Sequence, residues 1–181
     1  MEALKEWATV ISALESGEQT VLLRKGGIME VASGFVLQSK KFLLFPTYEH
    51  QSPDNIKAEF ARHLENAMKS KPQEGKIKIT SYAEVVSEAD VSDFEKIKRL
   101  SKFHIWSDDY IKSRMGWMPQ KPMKAVLLRV YKIDEFEIEQ KPEYHGCKSW
   151  IDINANFLSG KAALSESDLA EKRRSFEEIV Q

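Results

Sequence analysis

A single cysteine, Cys147, stands in 181 residues, which excludes an internal disulfide framework and suits a reducing compartment. No apolar run is long enough to span a bilayer, and Met1 leads into a charged amphipathic stretch rather than an apolar leader. The chain therefore reads as cytoplasmic, with no membrane partner. Net charge is almost absent too: 27 cations against 28 anions leave a formal charge of -1, so no global field draws the chain to nucleic acid. Any such role must rest on a local basic face. Four histidines, at positions 50, 63, 104 and 145, and the lone cysteine show none of the close pair spacings of a zinc site. Neither G-x-x-x-x-G-K-[ST] nor G-x-G-x-x-G occurs, so no cofactor is expected and no metal site is read from spacing alone.

What is present is the profile of a folded soluble domain, 42% hydrophobic and 30% charged. Its length allows one full core. The three- and four-residue spacing of Leu4, Trp7, Ile11 and Leu14 predicts an amphipathic helix over 2–15. Short apolar runs predict strands at 19–24, 35–37 and 42–45, the last ended by Pro46. Ser52-Pro53 opens a helix with its apolar stripe on Ile56, Phe60 and Leu64 and with His63 partly exposed beside it. Ile77 and Ile79 alternate as a strand, Ser92-Asp93-Phe94-Glu95 reads as a capping box, and Ser107-Asp108-Asp109 caps another short helix. The run 125–133 reads as a central strand interrupted by Arg129, Phe136 and Ile138 as a return strand, and 149–153 as a further one. Ser165 caps a C-terminal helix. About seven strands and five helices without regular alternation predict an α+β fold, a strongly bent mixed sheet or small open β-barrel flanked by helices. Residues 1–158 form one domain in this reading, and 159–181 are a helix packed on it or used for docking.

Polar equipment gathers at the strand ends. Arg24-Lys25-Gly26-Gly27 offers two cations beside a glycine turn whose freed N–H groups suit a phosphate or carboxylate; a tight turn with solvated basic ends fits equally well. Thr47-Tyr48-Glu49-His50-Gln51 sets five polar side chains before a helix, where they either orient a ligand or hold the loop in shape. The second role suits Thr47 and Gln51 better than His50. His104-Ile105-Trp106 and Gly146-Cys147-Lys148-Ser149-Trp150 place aromatics beside polar groups, as stacking on single-stranded or flipped bases requires. Arg129 needs an acidic partner or an opening to the same cavity. Cys147 reads as an inert thiol.

The blocks Leu4-Lys5-Glu6-Trp7, Leu23-Arg24-Lys25-Gly26-Gly27-Ile28, Phe42 to Gln51, His104-Ile105-Trp106, Leu128-Arg129-Val130-Tyr131 and Gly146 to Trp150 together resemble the prokaryotic domain-of-unknown-function family 1802. The resemblance runs to about residue 153, and through fusions of such domains to a restriction-endonuclease-like domain it implies a link to DNA restriction. Gly17, Thr20 and Arg24 also resemble the ASCH pattern G-x-K-T-x-E-x-R, with Gln19 and Leu22 where that pattern has lysine and glutamate. This weaker similarity implies a PUA-like barrel that binds RNA or modified bases, with Arg24 as a ligand contact. The leading expectation is a nucleic-acid-binding module, with Arg24, Lys25, Gly26 and Gly27 on phosphate and Tyr48, His50, His104, Trp106, Arg129 and Lys148 around a pocket. Two alternatives stand beside it. One is a metal-dependent hydrolase or nuclease using Glu49, His50 and His104, with Asp108 and Asp109 as further carboxylates. The other is an accessory subunit with a protein partner in a restriction or defence system.

Overall fold

The computed structural model describes residues 1–26, 34–155 and 159–181. In chain order the elements are β1 (Glu2–Trp7), α1 (Ala8–Glu15), β2 (Val21–Arg24), β3 (Lys41–Thr47), α2 (Ala61–Lys69), β4 (Lys76–Val91), α3 (Phe94–Arg99), α4 (Asp108–Gly116), β5 (Met123–Glu139), β6 (Trp150–Asp152), β7 (Lys161–Ala162) and α5 (Glu166–Val180). One mixed sheet takes the order β2-β5-β4-β3-β1-β6, with β7 paired to β5. β4 and β5 run antiparallel along almost their whole length, and register shifts between Ile79 and Ser81 and between Val85 and Ser87 interrupt the ladder. Bulges of this kind bend a strand and increase its twist. The bend brings the two ends of the strand order together: Arg24, closing β2, donates to Ser149 Oγ at 3.0 Å, next to β6, and to the Lys5 carbonyl of β1 at 3.3 Å. The result is an α+β fold with a strongly bent, open sheet.

Both faces of the middle strands are covered, which explains the unbroken apolar run in β3. Phe42 and Leu44 join the larger core with Val10, Leu14, Leu127 and Phe103. Leu43 and Phe45 point the other way, into a smaller cluster with Ile77, Ile79, Tyr144 and Ile151. Helix α5 lies over the sheet through Leu169, Phe176 and Ile179, and Phe176 meets Phe103 edge-on at 6.4 Å.

Several local expectations change. Residues 2–7 form a strand rather than the start of a helix, because Ala3 and Leu4 pair in parallel with Leu43 and Leu44 and antiparallel with Ile151 and Trp150. Phe136 and Ile138 continue β5 instead of returning beside it, opposite Ile79 and Ile77. Phe35 to Leu37 carry no strand assignment. Pro46 sits inside β3, where that strand pairs only with β1 and has already parted from β4. Ser52-Pro53 opens a short 3-10 turn, and the helix proper begins at Ala61. Asp93, not Ser92, caps α3 by accepting from the Glu95 and Lys96 N–H groups, which leaves Phe94 exposed.

Candidate functional site

β1 and β3 run parallel with Trp7 opposite Thr47, so their C-terminal ends open at one level. β2 arrives from the far edge of the strand order and ends beside them at Arg24. With residues 71–77 and 144–149, these ends enclose a cleft of about 740 Å³, within the range of ligand sites. Seven lysines and arginines line it, Lys5, Arg24, Lys25, Lys71, Lys76, Arg114 and Lys148, against the three glutamates Glu6, Glu49 and Glu74. A chain of nearly zero net charge has therefore concentrated cations on one concave surface. Trp7, Trp106 and Tyr110 form an aromatic wall, with Tyr110 5.2 Å from Trp7 and 6.3 Å from Trp106 between ring centroids.

Of the residues singled out in the sequence, Arg24, Lys25, Gly26, Tyr48, Glu49, His50, Trp106 and Lys148 line this one cleft. Gly27 lies outside the described residues. Two others are placed elsewhere. His104 is buried, with 2% exposure, and among the described residues neither ring nitrogen has a hydrogen-bond partner; the short segment that puts Trp106 in the cleft wall turns His104 into the core. Arg129 points to α5, where it pairs with Glu166, and lies 5.1 Å over the Tyr131 ring. This is the acidic partner that a cation within a central strand requires.

Arg24 is held on every side. Its guanidinium bonds Glu6 Oε2 at 3.0 Å, the Lys5 carbonyl and Ser149 Oγ, and lies 5.2 Å over the Phe35 ring. Glu6 is 5% exposed, and its second oxygen accepts from the Trp7 N–H at 2.9 Å. Lys25 is also buried. Its ammonium donates to the Met115 carbonyl at 2.6 Å, and burial, reinforced by Arg114, holds its pKa below the ordinary lysine value. Arg114 donates to the Gly26 carbonyl at 3.2 Å, and Gly26 takes φ +88, the left-handed region open to glycine.

The segment after β3 is pinned at both ends. Thr47 donates to the Glu6 carbonyl at 3.2 Å, and Gln51 Oε1 accepts from the backbone and the hydroxyl of Thr9 at the start of α1. Thr47 and Gln51 thus hold the loop, while Glu49 and His50 between them are exposed. His50 has φ +62, a conformation costing roughly 1–3 kcal/mol in a non-glycine residue and found preferentially at functional sites. Lys71 sits 5.3 Å over the Tyr48 ring, and burial raises the Tyr48 phenol pKa.

Lys5, Trp7, Tyr110 and Arg114 line the cleft without having been singled out as ligand contacts. Lys5 stands in a resembling block, but a helical reading of 2–15 hid its place at a strand end; nothing local marks Tyr110 or Arg114. Lys5 donates to the carbonyls of Tyr144 and Gly146, both at 2.8 Å, and its pKa is lowered by burial and then by Lys148. His63, expected to be partly exposed, is buried between Ser12 Oγ at 2.9 Å and Glu18 Oε2 at 2.6 Å, a polar link between α1 and α2 outside the cleft. Asp108 and Asp109 lie in the first turn of α4 behind its Ser107 cap. Among the described residues no group of three or more His, Cys, Asp or Glu side chains is arranged to hold a metal ion, and no helix is long and apolar enough to cross a membrane.

The sequence matches the domain of unknown function DUF1802 over residues 3–175. The chain belongs to the DUF1802 family. No curated protein matches it. Among solved structures, a DUF1802 fold of this kind is similar to crystal structures of the ASCH protein of Zymomonas mobilis. One variant shows 15% identity and a TM-score of 0.45, covering 75% of this chain and 73% of that one. A second variant shows 14% identity and a TM-score of 0.42 over 96% and 94% of the two chains. The ASCH structure without a named substitution gives 15% identity and 0.41 over 71% and 66%. These likenesses lend nothing to the assignment of the DUF1802 site, which rests on its own geometry.

Proposed function

We propose that the cleft binds nucleic acid, taking an unpaired base against Trp7 and Tyr110, which the buried Trp106 backs, while the surrounding cations face the phosphates. The observation that carries this reading is the sevenfold cationic lining of one aromatic-walled concavity in a chain of formal charge -1. Stacking on aromatic faces is tolerant of sequence and contributes about 1–3 kcal/mol per base; phosphate contacts add affinity without specificity. Arg24, fully engaged by Glu6, Lys5 and Ser149, shapes the floor of the cleft, whereas Lys148 and Lys71 on its rim are the cations offered to a strand. The setting of this binding is a DNA restriction or defence system, the context that the family resemblance implies.

Quenching of tryptophan emission by short single-stranded DNA and RNA oligonucleotides tests the reading, because two of the four tryptophans line the cleft. Binding is expected to be saturable. Lys148→Glu and Lys71→Glu should each weaken it by about fivefold to tenfold, in line with roughly 1 kcal/mol or more per lost phosphate contact. No quenching with any oligonucleotide, or wild-type affinity in both variants, overturns it.

A further inference from the structure

Seen from its charges, the inner end of the cleft is unbalanced. Arg24 has its counter-ion in Glu6, and Lys76 has one in Glu139 at 2.5 Å. Among the described residues Lys25 and Arg114 have none. Lys25 is 4% exposed and gives one hydrogen bond, to the Met115 carbonyl; Arg114 gives one, to the Gly26 carbonyl. Among the described residues no carboxylate lies within ion-pair distance of either. An ammonium has three N–H donors and a guanidinium five, so most of their donating capacity is unspent, and two like charges are held beside each other in a partly desolvated place. That arrangement is costly without an anion and favourable with one. Tyr110, one turn before Arg114 on α4 and also lining the cleft, adds a phenol hydroxyl. It can therefore donate.

We infer that Lys25, Arg114 and Tyr110 form a phosphate subsite at the inner end of the cleft, and that it takes the terminal phosphate of a single strand. This rests on the nucleic-acid reading and narrows it to strand ends. Two observations select an end over a passing backbone. Lys25, at 4% exposure, is out of reach of a phosphodiester whose chain must leave in both directions, but a terminal group attached on one side can enter. A terminal phosphate also carries close to two negative charges at neutral pH, matching the two unneutralised cations. The capping of α4 by Lys25 at the Met115 carbonyl accounts for one of its donors and leaves the others for the ligand.

The test uses the whole chain and three oligonucleotides of one short sequence, carrying a 5′-phosphate, a 3′-phosphate or no terminal phosphate. One phosphorylated form should bind at least tenfold more tightly than the unphosphorylated strand. Arg114→Gln and Lys25→Met should each abolish that preference, so that within either variant the phosphorylated strand binds no more tightly than the unphosphorylated one. Comparing strands within one variant makes the preference independent of how much of it is folded, and Arg114→Gln retains the Lys25 cap should Lys25→Met fail to fold. Equal affinity for all three strands, or a preference that survives Arg114→Gln, overturns the subsite while leaving the proposed function standing. No binding to any of the three overturns the proposed function and the strand-end assignment with it.

Discussion

His104 offers the sharpest stability prediction. Its ring lies 5.4 Å from that of Trp106, with both nitrogens buried and without partners. Burial, helped by the Lys57 charge and only partly opposed by the Trp106 backbone, lowers its pKa from 6.5 to about 3. For a base, a depressed folded pKa means that the unfolded chain binds the proton more readily. Stability is therefore full above the ordinary histidine value and is lost as pH falls from there towards the folded value. Each pH unit in that window removes about 1.4 kcal/mol, so a sample taken down to about pH 4.5 loses about 2.7 kcal/mol from this one residue. That is a large share of a typical domain stability of about 5–15 kcal/mol. His104→Phe keeps a ring of similar bulk and removes both the titration and the unpartnered nitrogens. Urea unfolding of both proteins at neutral pH and near pH 4.5 should show the variant at least as stable as wild type at neutrality, and ahead by a further 2–3 kcal/mol or so in acid. Curves that fall in parallel with pH would refute the buried neutral imidazole. A large loss in the variant at neutral pH would show that the ring nitrogens do hold a partner.

Two further outcomes follow from the polar links. Arg24→Met leaves the nearly buried Glu6 charge alone at the seam between the sheet edges and should cost about 3–5 kcal/mol in chemical denaturation; the double variant with Glu6→Gln should recover most of it, and a single-variant loss under about 1 kcal/mol would contradict the pairing. In Glu18, burial pushes the carboxyl pKa up, but hydrogen bonds from His63 and Arg62 outweigh it and leave the pKa below the ordinary glutamate value. Its contribution to stability is thus complete above the unfolded value and lost as pH falls through the folded one. Glu18→Gln should flatten the acid side of the thermal stability profile, and an unchanged profile would show that the link between α1 and α2 carries no charge dependence.

The α+β class and the polar strand ends were legible because they are local: apolar runs stop at Arg24 and at Thr47, and the glycine and helix-cap residues beside them mark the turns. What failed was decided across the sheet. Leu4, Trp7, Ile11 and Leu14 keep helical spacing through a boundary at Trp7 that only the pairing of β1 with β3 and β6 creates. The charges of Lys132, Asp134 and Glu135 look like a turn, yet β5 continues through them because β4 is almost as long and answers with Lys78 to Glu135 at 3.2 Å. Within the site, Lys148 and His50 come to one hollow with Arg24 as the spacing of polar ends suggested. His104 does not, since a residue two positions before a cleft tryptophan can turn either way. Arg114 and Tyr110 sit on an ordinary short helix, and only the approach of Lys25 and Gly26 ties that helix to the cleft.

The most direct measurement is the affinity of the wild-type chain for a short single-stranded oligonucleotide from about 0.05 to 0.3 M salt. A cationic cleft predicts that log K falls linearly with log salt concentration, with a slope shallower by about one unit in Lys148→Ala. Affinity that stays level across the salt range, or a slope the variant leaves untouched, contradicts it.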